Sequence, residues 1–118
     1  MKVLHIDDNQ EITDLISELV QSHGFDYFVT NNPKEGLDLI KKEKFDVILL
    51  DMHMPELSGI DIIQKLEQEK ILKDQKIIIL SGFSFTYNQK TDLLKKEGIH
   101  DCLKKPIEFD ELLSAVTN

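Results

Sequence analysis

Two periods alternate along this chain of 118 residues. Unbroken runs of β-branched and leucine side chains, Val3 to Ile6, Val47 to Leu50 and Ile77 to Leu80, are separated by stretches in which apolar positions recur every three or four residues. The first pattern predicts strands buried on both faces, the second amphipathic helices packed over them. After Asp8, the positions Ile12, Leu15, Ile16, Leu19 and Val20 predict helix one, and Gly24 supplies its stop signal. A short strand from Tyr27 to Val29 precedes Asn31-Asn32-Pro33, which caps and starts helix two through about Lys42. Gly36 weakens that helix by up to about 1 kcal/mol. Strand three, Phe45 to Leu50, leads through a Pro-containing loop to helix three, where Ile60, Ile63 and Leu66 share a face and Ser58 is the cap. Strand four is read from Lys76 to Leu80. A helix containing Leu93 and Leu94 and stopping at Gly98 follows, then a fifth strand near His100 to Leu103 and a short helix from Phe109 to Val116.

Five β-α units make an α/β fold, and right-handed crossovers leave few arrangements for them. A doubly wound, five-stranded parallel sheet in the flavodoxin-like order 2-1-3-4-5, with five helices, is the one expected. Residues 1–118 fit one domain, burying roughly two thirds of the surface of the unfolded chain. Ligands in such sheets bind outside the carboxyl ends of the strands, at the point where the strand order reverses. Here that point lies between strands one and three, and Asp7, Asp8 and Asp51 end those two strands. Ser81 follows strand four, and Lys104-Lys105-Pro106 follow strand five.

Three carboxylates, a hydroxyl and an ammonium in one crevice describe a site for a divalent cation and a phosphoryl group. Carboxylates held close together resist ionising together unless a cation neutralises them. All-oxygen ligation favours a hard ion such as Mg2+, with Mn2+ as a substitute. Beside such an ion Asp51 can act as a nucleophile toward phosphorus, while a lysine point charge and a serine hydroxyl hold the remaining phosphoryl oxygens. Read singly, these residues are ordinary turn and capping residues. Helix capping competes for Asp7, a loop hydrogen bond for Ser81, and Lys104 competes with Lys105, although Lys104 is expected to face solvent.

Charge and cysteine content narrow the class. Acidic residues outnumber basic ones 22 to 14, for a net charge of −8, and no Lys/Arg stripe tracks a phosphate backbone, so direct nucleic-acid binding is not expected. The single cysteine, Cys102, forms no internal disulfide. With neither a secretory signal nor a spanning segment in view, a cytoplasmic protein without membrane contact is expected.

Asp7-Asp8-Asn9, Asp51-Met52-His53-Met54-Pro55 with Ser58-Gly59, Ser81-Gly82 and Lys105-Pro106 occur in an order that resembles the receiver domain of two-component response regulators, in particular single-domain, chemotaxis-regulator-like ones. The likeness covers nearly the whole chain. It implies that Asp51 is the phosphoacceptor, and that Asp8, Asp51 and the backbone carbonyl of His53 bind Mg2+ directly, with Asp7 assisting through a water. Lys105 would contact the phosphoryl group, Ser81 would swing toward it after transfer, and the Lys105-Pro106 peptide would be cis. A sensor histidine kinase or phosphotransfer protein is the implied donor. A downstream protein target is implied at the face formed by helix four, strand five and helix five, and no turnover of an external substrate is implied. Two departures stand out. Cys102 occupies the position where the family usually carries a switching aromatic, and the Ser81 to Lys105 segment is slightly long, with Phe83, Phe85 and Tyr87 in the added stretch.

Rival functions fare worse on the same residues. A flavin or dinucleotide carrier would need a phosphate-cradling glycine loop after strand one, where Asp7-Asp8 stand instead. A serine hydrolase would need a nucleophile elbow, and the sequence around Ser84 lacks its second glycine. An Asp-nucleophile phosphatase would carry a second Asp where His53 lies. A receiver-fold interaction module that is never phosphorylated would have no use for Asp8, Asp51, Ser81 and Lys105 together. Among the histidines, His5 is expected to be a hydrogen-bonded core residue, His23 and His100 helix-end and turn residues, and the His53 ring an overhang that affects water access more than it ligates metal. Cys102 is read as a small buried side chain, and the three rings of the long segment as partly buried over the sheet edge, with an exposed partner patch as the alternative.

Overall fold

A computed structural model describes residues 1–118. In chain order the elements are β1 (Lys2–Ile6), α1 (Gln10–Ser22), β2 (Asp26–Thr30), α2 (Pro33–Lys42), β3 (Val47–Asp51), α3 (Gly59–Gln68), a 3-10 turn (Leu72–Asp74), β4 (Ile77–Ser81), α4 (Tyr87–Leu94), β5 (Ile99–Lys104) and α5 (Phe109–Thr117). All strand pairs are parallel and the order is β2-β1-β3-β4-β5, as the alternating pattern predicts.

Because side chains alternate across a strand, each central strand feeds two cores. Leu4, Ile6, Ile48, Leu50, Ile77 and Ile79 point to one face and pack with Leu37 and Ile40 of α2 and with Ile62, Ile63 and Leu66 of α3. Val3, Val47, Leu49, Ile78 and Leu80 point to the other, against Ile16 and Val20 of α1 and Leu112, Ala115 and Val116 of α5. Each fully buried side chain of this size contributes roughly 1.5–3 kcal/mol of transfer free energy.

Several boundaries differ from the periodicity. Phe45 lies outside β3 yet is almost fully buried. It plugs the core from the preceding loop, while Asp46 makes the strand-entry contacts, its N–H donating to the Lys2 carbonyl (2.9 Å) and its carboxylate accepting from the Lys2 N–H (2.7 Å). At the other end, polar Asp51 and Ser81 belong to the strands, because the parallel ladder continues through them. Helix α4 ends at Leu94 rather than close to Gly98; Lys95 closes it, and the Lys96 N–H turns back to the Leu93 carbonyl. Gly36, a weak helix former, is required where it stands: a Cβ there would lie 2.6 Å from Ile6 Cδ1, so only glycine lets α2 settle on β1.

One edge of the sheet is β2, where Phe28 and Val29 are exposed. Lys2 of the neighbouring β1 sets its Nζ 5.3 Å and 5.1 Å from the ring centroids of Phe28 and Phe45 and 3.7 Å from Glu43. No helix is long and apolar enough to cross a membrane.

Candidate functional site

The site forms where β1, β3, β4 and β5 end together. Asp7 directly follows β1 and donates its N–H to the Thr30 carbonyl (3.2 Å), which holds it in line with the sheet. It does not cap α1. Asn9 does so, accepting from the Ile12 N–H at 3.2 Å, while the Asn9 N–H donates to Asp7 Oδ1 at 3.0 Å. Asn31 braces the same corner from beyond β2, its side-chain amide donating to the Asp7 carbonyl at 2.7 Å. Asp51 is the last residue of β3, and α3 starts almost against it. A Cβ on Gly59 would stand 2.5 Å from the Asp51 carbonyl, so this approach requires a glycine, and Ser58 fixes the helix start through a reciprocal capping box with Asp61.

Carboxylate oxygens of Asp7, Asp8 and Asp51 all lie within 4.8 Å of one another. Asp7 and Asp51 are buried, whereas Asp8 is exposed at the rim. The Lys105 N–H donates to the Ser81 carbonyl at 2.7 Å, and the Lys105-Pro106 peptide is cis, as the resemblance implies. Lys105 Nζ donates to Asp7 Oδ2 at 3.0 Å and to Asp51 Oδ1 at 3.1 Å, while Lys104 faces solvent.

This arrangement splits the two buried carboxylates. Burial first, and the Asp7 charge second, push Asp51 up to about 6 against the pull of Lys105. Burial also acts to raise Asp7, but the His5 ring 3.5 Å away and hydrogen bonds from the Asn9 N–H and Lys105 outweigh it and hold Asp7 at about 2. The Lys105 ammonium is favoured, since its carboxylate partners more than offset its own burial. One monovalent ammonium leaves the three-carboxylate cluster short of positive charge. A hard divalent cation fits this donor set, being all oxygen, acidic and open on the Asp8 side.

Ser81 is buried and accepts the Phe83 N–H at 3.1 Å, a contact inside its own loop. It is not the cap of α4, a role taken by Thr86 with Gln89. His53 donates its N–H toward Asp51 Oδ1 at 3.4 Å; its ring stands apart from the carboxylate cluster and packs edge-on against Phe83, centroids 4.8 Å apart. Phe83 and Tyr87 are exposed rather than partly buried, and only Phe85 of the three packs on the core. Cys102 is buried, and burial pushes its thiol up to about 11, away from thiolate chemistry. In the sequence Asn9 stands only as part of the Asp7-Asp8-Asn9 motif, Asn31 belongs to the start of helix two and His5 to the core, so their placement around Asp7 is new in the structure. Only Asn9 carried a local signal, an Asn at the first position before a helical period.

Comparison with known proteins agrees with this geometry. The family model described as the response regulator receiver domain matches residues 3–117. The cell cycle response regulator CtrA of Brucella ovis is 33% identical over 116 residues, which cover 98% of this chain and 48% of that protein; the chain spans about half the length of the curated relatives it matches. Among solved structures, the receiver domain of the Francisella response regulator 1452 superposes with a TM-score of 0.86 at 38% identity, covering 98% of this chain and 93% of that one. The response regulator protein TrrA from Thermotoga maritima, solved in complex with Mg2+-BeF, gives 0.81 at 29% identity, covering 98% and 96%.

Proposed function

Because the chain belongs to the response regulator receiver domain family, we propose that it is a phosphorylation-dependent signalling switch that accepts a phosphoryl group on Asp51. The carrying observation is the Asp51 carboxylate at the end of β3, flanked by two further carboxylates and bonded to Lys105 Nζ at 3.1 Å. Asp8, Asp51 and the His53 carbonyl would hold Mg2+, or Mn2+ in its place, with Asp7 assisting through a water. When bound, the ion neutralises the carboxylates and the phosphoryl oxygens drawn between them. A carboxylate oxygen of Asp51 then bonds to phosphorus as the P–N bond of a phosphohistidine donor breaks, the electron pair leaving with the imidazole. Lys105 exchanges its contact with Asp51 for a phosphoryl oxygen, and the Ser81 hydroxyl turns from the Phe83 N–H toward another.

The donor in this reading is a sensor histidine kinase or phosphotransfer protein, in the cytoplasm. Residues 1–118 act as one receiver unit, and the α4, β5 and α5 face meets a downstream protein rather than nucleic acid. The relative solved with Mg2+-BeF supports the same ligand class here. Incubation with a small phosphodonor and Mg2+, followed by intact mass and site mapping, tests the assignment. Labelling at Asp51 is expected, with Asp51→Asn unlabelled and Asp8→Ala needing more metal. Undiminished labelling of Asp51→Asn at another residue would overturn it.

A further inference from the structure

His5 lies in the middle of β1, paired in register with Val29 and Leu49, and has no exposed surface. Its neighbours along the strand, Val3, Leu4 and Ile6, show what such a position ordinarily takes. Two polar groups meet the ring. Tyr27 Oη, from the register position beside Val3, stands 2.7 Å from Nδ1, and Asp7 Oδ2 stands 3.5 Å from Nε2. Nε2 makes no hydrogen bond at that separation, so a fully buried polar atom is left beside one oxygen of the carboxylate cluster.

A neutral imidazole carries one N–H, and its location follows from what each nitrogen faces. With the hydrogen on Nδ1, the Nε2 lone pair would point at a buried carboxylate that Asn9 and Lys105 already hold as an acceptor. With the hydrogen on Nε2, it is directed at Asp7 Oδ2, and Nδ1 accepts the Tyr27 hydroxyl. The second arrangement spends the one phenolic hydrogen on Nδ1 and sets the Tyr27 oxygen against the Thr13 carbonyl, a neutral opposition that costs less than a lone pair facing a buried carboxylate. Tyr27 Oη also stands 3.1 Å from the Thr13 carbonyl of α1, which pins the hydroxyl between helix and strand.

We propose that His5 is a positioning residue of the phosphoryl-acceptor site, its Nε2–H orienting the Asp7 carboxylate and its own tautomer being set by Tyr27. This rests on the phosphoacceptor reading above. Asp7 Oδ1 is committed to Asn9 and Oδ2 is shared by Lys105 and His5. When Lys105 exchanges its Asp51 contact for a phosphoryl oxygen, its pull on Asp7 Oδ2 changes, and His5 is the donor beside Oδ2 that does not move. Asp7 therefore keeps its orientation while the charge around it changes, and the cation keeps its ligand environment through the transfer.

The test uses the full chain with His5→Leu, His5→Gln, Tyr27→Phe and the Leu/Phe double variant. Mg2+ affinity by titration calorimetry, phosphorylation rate against Mg2+ concentration, and the thermal midpoint are measured for each. His5→Leu is expected to weaken Mg2+ binding about tenfold, the usual scale for removing a partner that supports a metal site. Its phosphorylation should recover at saturating Mg2+, a split that a loss of folding would not produce. His5→Gln, which places an N–H near the Nε2 position, should restore most of the affinity. Tyr27→Phe should weaken binding less, with no further loss in the double variant, because Tyr27 acts only through His5. A folded His5→Leu with wild-type affinity would overturn the inference. So would full additivity of the two losses or, if His5→Leu does not fold, a Tyr27→Phe variant with unchanged affinity. Wild-type protein that neither binds Mg2+ nor labels at Asp51 would overturn the functional reading and this inference with it. Normal wild-type labelling beside an unaltered His5→Leu overturns this inference alone.

Discussion

Asp51 and Asp7 share one cluster but are driven in opposite directions, and the consequence is a pH dependence that can be assigned a sign. Asp51, raised in the folded protein from 3.8 to about 6, contributes stability that is complete below about 3.8 and is lost as pH rises through about 6. Asp7, lowered to about 2, contributes stability above 3.8 that is lost only as pH falls through about 2. Metal-free protein should therefore gain stability from Asp51 on going from pH 7 toward pH 4, with Asp7 not yet withdrawing its share. Asp51→Asn should be more stable than wild type at pH 7 by about 1 kcal/mol or more, and the gap should close near pH 4. Urea denaturation in a chelator at both pH values measures this, and a gap that widens in acid would contradict the site's electrostatics. Adding Mg2+ should narrow the difference at pH 7 by stabilising the wild type. Asp8, Asp51, Ser81 and Lys105 were legible in the sequence because each ends an apolar run abruptly. The role of His5 was not, since a histidine inside a strand reads as a core residue until the parallel register sets Tyr27 and Asp7 on either side of it.

At the scale of elements, α4 differs from the other helices in burying none of its residues. Its start is fixed by the Thr86–Gln89 capping box, and only the five residues from Gly82 to Thr86 separate it from Ser81. Phe83, 69% exposed, rests on the His53 ring, while Phe85 and Leu93 reach the core that also contains Cys102. With Cys102 at the position where the resemblance implies a switching aromatic, the proposed movement of Ser81 would reach α4 through this loop. A helix with so little buried surface shifts at small cost. Amide exchange with and without beryllofluoride should show altered protection from Gly82 through Tyr87. Phe83→Ala should blunt the change and Cys102→Ser should leave it largely intact; the opposite pattern would return the switch to β5. Element types were readable from period alone, but their ends were not. Apolar runs report burial, so Phe45 was counted into a strand the ladder excludes, while polar Asp51 and Ser81 were left out of strands it includes.

For the whole molecule, the strand order and the two-sided core were legible because the central strands alternate between faces that both require cover. That order also names β2 and β5 as the edges, but not which of their side chains stay uncovered. At the β2 edge, Phe28 is 40% and Val29 46% exposed, and backbone groups on that side have no neighbouring strand. Such an edge can template the addition of another chain. The Lys2 ammonium over Phe28 and Phe45, tied to Glu43, sets a charge beside the exposed Phe28 ring. Lys2→Ala should therefore change little in the folding equilibrium but increase light scattering in concentrated solution, and Phe28→Thr in the same background should reverse it. If Lys2→Ala stays as clear as wild type, the edge needs no guard. If it clouds, a single lysine far from the acceptor site governs the colloidal behaviour of this signalling protein, and so the concentration at which it remains a set of independent molecules.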